Sequence, residues 1–320
     1  KKIDLVLEPS LQALEWLEGQ NSLAEELNPL YLPFVEPPLD WVDPLSGGFH
    51  GETVYASALV KTPHRQVLDL LARAVMPDVY DSLNWIQGVP WAINPMVYEV
   101  FAHYWQNGLP AVGVPRRDEE PVPGPIESDD PKVKSDHRRR IRMVHDANLR
   151  LRGERITAAR LYWVSSKYLG IPKFWFMQQL DWRGRAYPVS YYLHPQGDDL
   201  TRSLLQFAEG KPVKTPSAIS WHSVAGANLW GLDKKPFEAR LQWVSENHAM
   251  FTRIAEDPIG CQEWMSASDP WQFLAWCLDW YALQSDPDHL SHLPIHQDAT
   301  QSGLQIYAML LRDDAGATAT

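Results

Sequence analysis

The chain has 320 residues, enough for one large or two modest domains with a real core, and its formal net charge of −11 argues against a protein that coats nucleic acid indiscriminately; locally clustered Lys and Arg can still set the potential of a cleft. Cys261 and Cys277 have neither a metal-site spacing nor the makings of a disulfide framework, which fits a reducing compartment and small buried side chains. No run approaches the roughly 18 apolar residues of a membrane span, and Lys1-Lys2 leads into polar sequence, so a soluble chain without a membrane partner is expected. The start without Met and the stop at ATAT suggest both ends are cut from a longer protein.

Residues 1–80 read mainly as helices, with Leu5, Leu11, Leu14, Trp16 and Leu17 in the first and 62–76 as a second, preceded by a strand-like GETVYASALV. Between them Pro29, Pro33, Pro37, Pro38 and Pro44, with Gly47 and Gly48, exclude one continuous helix. Residues 79–105 are dense in aromatics and read as packed helix, with Asn94-Pro95 as a start signal. Residues 107–131 hold Gly, Pro and acids with little apolar content, a solvated loop by composition. The chain then turns basic at Lys132, Lys134, Arg138, Arg139, Arg140, Arg142, Arg150, Arg152 and Arg155. Such a run can be a solvated helix face, or a phosphate-tracking surface in which each contact adds sequence-independent affinity by counterion release.

Within residues 174–211, Asp181, Arg183 and Arg185 alternate, so an extended segment would put them on one face, with Trp182, Gly184 and Ala186 on the other. They could be a structural ion-pair ladder, or a fork-shaped phosphate clamp steadied by Asp181. Residues 216–283 read as three helices, around SAISWHSVAGANLWG with Gly231 as its stop, from Pro236 to Ile254, and from Pro270 to Leu283. Trp221, Trp230, Trp243, Trp264, Trp271, Trp276 and Trp280 are assigned to core and interhelical packing. His289, His292 and His296 have intervals a zinc site could use, but no Cys or fourth ligand accompanies them.

In residues 294–313, PIHQDATQSGLQIYAMLLRD, a strand-like alternation of Leu293 and Ile295 gives way just after Asp298 to a helical spacing at Leu304, Tyr307, Ala308 and Leu311. Thr300 or Ser302 can cap that helix. A carboxylate between a strand end and helix-start amides can hold a cation that holds phosphates, though strand-Asp-helix is often only a cap or turn.

Two blocks carry a resemblance. The order Pro294, Asp298, Thr300, Ser302, Gly303, Leu304, Gln305 resembles the first palm motif of the single-subunit DNA-directed RNA polymerases of bacteriophages and mitochondria, and DWRGRAYPVS followed by HPQGDDLTRSLLQFAEGKP is similar to that family's DWRGR block. Gln301, where the family usually has a small residue, and Ile306, where a His commonly follows the Gln, depart from the pattern. The resemblance spans about residue 79 to the end. It implies a mainly α fold with a small β component (α+β), a right-hand polymerase fragment: 1–80 the end of a helical N-terminal domain, 81–170 a thumb-like helical hairpin with the acidic Pro-rich loop 107–131, and 171–320 the first part of the palm.

The function so implied is template-dependent transfer of ribonucleotides from ribonucleoside triphosphates to an RNA 3′-hydroxyl by a two-metal mechanism. Asp298, with the Ala299 carbonyl, would bind Mg²⁺; Arg183, Arg185 and Tyr187 would contact nucleic acid; Gly303 would admit the ribose 2′-hydroxyl. The partners implied are a DNA template, nascent RNA and ribonucleoside triphosphates, the protein acting as a monomer, either in a phage-infected bacterial cytoplasm or in a mitochondrion. The fragment alone is expected to be inactive, because the second metal-binding Asp and the nucleotide-binding Lys and Tyr lie beyond it. A DNA polymerase of the related hand-shaped class would carry a Glu where Gly303 stands. A non-catalytic helical nucleic-acid-binding protein would leave the Asp298 motif unexplained.

Overall fold

The computed structural model describes residues 31–50, 58–62, 64–296 and 303–319, and helices joined by short antiparallel strand pairs make it mainly α with a small β component. In the Pro-rich crossing, β1 (Leu39–Asp43) and β2 (Ser46–Gly48) form a hairpin. Gly47 turns it at φ 138°, where a Cβ would stand 2.8 Å from Trp41 Cα, so glycine is required. Trp41 is buried: its backbone N–H donates to Asn84 Oδ1 at 2.7 Å and its indole to the Gln178 carbonyl at 3.1 Å. Trp41, Leu59, Val60, Leu83 and Met177 make a small core of their own.

The helix expected over 62–76 is shorter, α1 (Arg65–Leu71): it ends at Ala72, and Met76, which precedes Pro77, is non-helical and begins the next helix. Instead of one packed helix over 79–105 there are two, α2 (Pro77–Gln87) and α3 (Pro95–Asn107), separated by Gly88, Pro90 and strand β3 (Trp91–Ile93). The start signal at Asn94 works as read, its side chain accepting from Val97 N at 3.2 Å, and α3 stops at Gly108 with φ 65°. Helix α2 runs through the division expected near residue 80.

The basic stretch folds as one 38-residue helix, α4 (Pro131–Tyr168), started by Pro131 and by Asp130, whose carboxylate accepts from Lys132 N at 2.8 Å. At 1.5 Å per residue it is roughly 57 Å long. Its first turns bury nothing fully; His137, Ile141 and Val144 form a half-buried stripe that leads to buried Asn148 and Leu151. The loop before it is less solvated than its composition implies. Asn148 exchanges two hydrogen bonds with the Glu120 backbone, each 2.8 Å, and Arg152 pairs with Glu119 at 2.5 Å, so the loop is strapped along the helix.

Beyond α4, β4 (Gln178–Leu180) and β5 (Ala186–Pro188) pair with each other, and α5 (Asp199–Ser203) leads to β6 (Leu205–Phe207), which pairs with β3. Strand β7 (Lys211–Pro212) precedes α6 (Pro216–Ala227), which ends through a wide turn at Gly231, φ 116°. The helix expected over 236–254 is broken into α7 (Phe237–Glu246) and α8 (His248–Glu256) at Asn247, whose side-chain amide donates to the Trp243 carbonyl at 2.7 Å and competes with the ladder. Then come α9 (Pro270–Ser285), β8 (Leu290–Ser291) paired with β7, α10 (Gly303–Leu311) and α11 (Asp314–Ala319).

Helix α9 is apolar on all sides and therefore central. Trp271, Phe273, Leu274, Trp276 and Cys277 on it are wholly buried against α3, α5, α6 and α8. Buried indoles need acceptors: Trp271 finds the Val112 carbonyl at 2.6 Å, Trp276 that of His222 at 2.8 Å, and Trp264 that of Pro258 at 2.8 Å. Trp221 departs from the expected core set, lying exposed and edge-on against Phe237. Burial pushes the Cys277 thiol well up, which makes it an inert packing residue, whereas Cys261 is only half-buried.

Candidate nucleic-acid interface

Asp181, Arg183 and Arg185 do not lie on an extended strand. They form the hairpin turn between β4 and β5, with Gly184 at φ 79°. Asp181 organises the turn: Oδ1 accepts from Arg183 N at 2.8 Å and Arg185 N at 3.0 Å, while Oδ2 accepts from Arg183 Nε at 2.9 Å. The Arg183 Nη2 closes a second contact to Oδ2 at 2.8 Å. Desolvation raises the Asp181 carboxyl, but the bonds from Arg185 and Arg183 outweigh it and hold it below its usual range. Arg183 also reaches the Tyr187 hydroxyl on β5 at 3.4 Å and lies 5.6 Å from the ring centre of Trp182, which is 80% exposed. Arg183, Arg185 and Tyr187 are thus brought onto one exposed hairpin, and the Arg185 guanidinium has no protein partner among the described residues.

Leu180, Asp181, Trp182, Gly184 and Ala186 of the hairpin line a cleft of about 950 Å³ together with Val60, Leu71, Val79, Leu83 and Ile86. The block that follows supports it: Gln196 Nε2 donates to the Ala186 carbonyl at 3.0 Å, and Asp198 caps α5 by accepting from Thr201 N at 2.9 Å. Along α4, Lys134 pairs with Asp129, Arg152 with Glu119, and Arg155 donates to the Arg117 carbonyl at 2.9 Å. Lys132, Arg138, Arg139, Arg140, Arg142 and Arg150 are exposed, with no side-chain partner among the described residues.

Asp298 and Ala299 lie outside the described residues, together with Thr300, Gln301 and Ser302. On the near side, the last strand residue is Ser291; the His292 carbonyl still bonds Phe207 N, and residues 293–296 belong to no helix or strand. On the far side, Gly303 opens α10, and a Cβ there would meet no atom of the described residues within 4 Å. Asp313 is exposed and accepts from Gly316 N at 3.0 Å, and Asp314 begins α11. No group of three His, Cys, Asp or Glu that could hold a metal occurs among the described residues. His289 and His292 go to separate partners, Asp279 Oδ1 at 2.9 Å and the Phe207 carbonyl at 2.7 Å. Sequence reading passed over Asp279; its isolation as the one acid in an apolar helix was the available signal. No helix among the described residues is long and apolar enough to cross a membrane.

An exposed arginine hairpin on the small Trp41 core and a long helix with unpaired cations give the chain surfaces suited to a polyanion. Residues 213–320 match the family described as DNA-dependent RNA polymerase. The chain is 30% identical over 298 residues to T7 RNA polymerase of Escherichia phage T7, which covers 92% of this chain and 33% of the relative. It is 33% identical over 299 residues to the mitochondrial DNA-directed RNA polymerase of Neurospora crassa, covering 90% and 21%, and 31% identical over 324 residues to the mitochondrial enzyme of Homo sapiens, covering 98% and 26%. The chain thus spans between about a fifth and a third of the length of these curated relatives. It belongs to the family of single-subunit DNA-directed RNA polymerases of phages and mitochondria.

Proposed function

We propose that the protein containing this chain extends RNA on a DNA template, transferring ribonucleotides from ribonucleoside triphosphates to the RNA 3′-hydroxyl, and that this chain supplies the thumb and the first part of the palm. The observation that carries the reading is the hairpin of Arg183, Arg185 and Tyr187, whose guanidiniums are presented outward by a turn that Asp181 holds rigid. Planar guanidiniums match phosphate oxygens in pairs, so Arg183 and Arg185 bind template or RNA backbone and set its path. Tyr187 flanks that path from β5. The unpaired cations of α4 follow the product duplex without reading its sequence.

Asp298 and the Ala299 carbonyl would hold Mg²⁺. Their hard oxygens fit that ion in kind, and the segment leads into a helix whose first residue is Gly303. When bound, the metal lowers the pKa of the attacking 3′-hydroxyl and neutralises charge on the leaving pyrophosphate. Gly303, lacking a side chain, leaves room for the ribose 2′-hydroxyl, which favours RNA over DNA synthesis. Residues 81–170 act as the thumb and 171–320 as the palm's first part, with 1–80 the end of an N-terminal domain; the chain works as part of a monomer, in a phage-infected bacterial cytoplasm. The chain spans a third or less of its relatives' length, and by itself it is expected not to polymerise.

The test is a run-off transcription assay beside a template-binding titration of the intact protein. Asp298→Asn is expected to abolish synthesis, by roughly a thousandfold or more, and to leave template affinity within about twofold. Activity within about tenfold of the unaltered protein would remove Asp298 from the metal site, since a lost ligand costs several kcal/mol of transition-state stabilisation.

A further inference from the structure

The approach to Asp298 is held less by strand pairing than by one buried carboxylate. Strand β8 is two residues long, so its ladder with β7 supplies few bonds. Asp279, on α9, makes up the difference. Its Oδ2 accepts from His222 Nε2 at 2.9 Å and from Ser291 Oγ at 2.7 Å, and its Oδ1 accepts from His289 Nε2 at 2.9 Å. The donors come from α6, from the turn before β8 and from β8 itself, so one side chain ties the approach segment to two helices.

The partners are themselves fixed. His222 stacks on Trp276 with ring centres 5.5 Å apart and tilted 29°, and the Trp276 indole donates to the His222 carbonyl at 2.8 Å. Ser291 Oγ also accepts from Leu293 N at 3.3 Å, passing the constraint forward along the chain. One residue on, the His292 carbonyl accepts from Phe207 N at 2.9 Å, which attaches the segment to β6. The Asp279 side chain is only 11% exposed, and that burial raises its carboxyl; the bonds from His222, His289 and Ser291 outweigh it and leave the group below its ordinary value of 3.8. The carboxylate is therefore ionised near neutral pH, and hydrogen bonds to an ionised acceptor are the short, directional kind.

We propose that Asp279 is a positioning residue for catalysis: by clamping His222, His289 and Ser291 it fixes where the segment 289–296 delivers Asp298. The inference rests on the reading of Asp298 as a metal-holding acid. A packing role alone could be filled by apolar side chains, as buried ion pairs commonly can be replaced without loss of stability. What an apolar replacement cannot supply is a fixed direction for each of three donors. Only four residues, 294–297, lie between Leu293 and Asp298, so where Ser291 and Leu293 are held limits where the acid can reach.

The test uses the intact polymerase with template and RNA, and Mn²⁺ as a paramagnetic probe titrated by electron paramagnetic resonance, beside steady-state kinetics and thermal melting. Asp279→Asn keeps the shape but turns one acceptor into a donor facing another donor. It is expected to weaken Mn²⁺ binding and to lower kcat by about tenfold each, the scale of lost outer support at metal sites, while the template KM stays within about twofold. Asp279→Glu should recover part of both losses. Mn²⁺ affinity and kcat within about twofold of the unaltered protein overturn the proposal, and so does a lower melting temperature with unchanged Mn²⁺ affinity, which is the signature of a merely structural brace. Should Asp279→Asn fail to fold, Ser291→Ala removes one of the three bonds at a half-buried position, and unchanged Mn²⁺ affinity in that variant is equally fatal. Asp298→Asn serves as the control: if it binds Mn²⁺ normally, the reading of Asp298 fails instead, and the two failures are told apart.

Discussion

Removing the Arg185 guanidinium should weaken nucleic-acid binding and make it less dependent on salt, without touching stability. In the hairpin, Arg185 contributes its backbone to the turn through Asp181, and its side chain has no protein partner among the described residues. Arg185→Ala therefore breaks no internal bond, and its melting temperature should match that of the unaltered protein. If the side chain meets one phosphate, its loss lowers the slope of log K against log salt by about 0.7 for a single strand to 0.9 for duplex DNA. Between roughly 50 and 200 mM salt, a fourfold change, that slope amounts to about a threefold smaller loss of affinity. Arg183→Ala should weaken binding more, because it also frees Asp181 Oδ2 from the Nε and Nη2 contacts and turns a bare carboxylate toward the phosphate path. Adding Asp181→Asn to Arg183→Ala should recover part of that excess. The assay is fluorescence anisotropy of a labelled template-RNA hybrid across a salt series. An unchanged salt slope in Arg185→Ala would refute the placement of nucleic acid on this hairpin, and a lowered melting temperature would refute the claim that the side chain is free.

Gly303→Glu should fold normally, because it lies in a helix and a Cβ there meets nothing of the described residues within 4 Å; single-nucleotide incorporation should show ribonucleotide use falling by about tenfold or more relative to deoxyribonucleotide use, and equal losses would put the sugar gate elsewhere. Gly226→Ala should destabilise the protein by about 1–3 kcal/mol in urea unfolding, because the new Cβ would lie 2.1 Å from Trp276, whose ring is locked against Phe273 and His222. His194 is half-buried with Nδ1 unpartnered, and burial lowers its pKa from 6.5. A base depressed in the folded state binds more protons when unfolded, so its contribution is complete above pH 6.5 and is lost as pH falls through the lowered folded value; His194→Gln should flatten that part of a stability-pH profile, and an unaltered profile would count against the assignment.

The parts of this structure that could be read from sequence are those decided within a few residues. Asn94-Pro95 starts a helix because an amide oxygen reaches Val97 N three residues on, and Gly231 stops one because only glycine is comfortable at φ 116°. The same locality explains one misreading. Asp181, Arg183 and Arg185 have the period of a strand, yet Asp181 can bond the amides two and four residues ahead and Gly184 accepts a left-handed turn, so turn chemistry overrides alternation. Asp-x-x-Gly was the legible signal for that outcome. Contacts across long separations were not legible. Nothing near Glu119, Glu120, Arg152 or Asn148 announces that the acidic loop straps the basic helix, or that Asp279 reaches back to His222 and forward to Ser291. The strap also explains how a chain of net charge −11 can present a polyanion surface. Glu119 and Asp129 neutralise Arg152 and Lys134, whereas Arg138, Arg139, Arg140 and Arg142 have no acid paired to them among the described residues. Overall charge averages over the whole chain; a ligand laid along the helix meets the local excess of unpaired arginines.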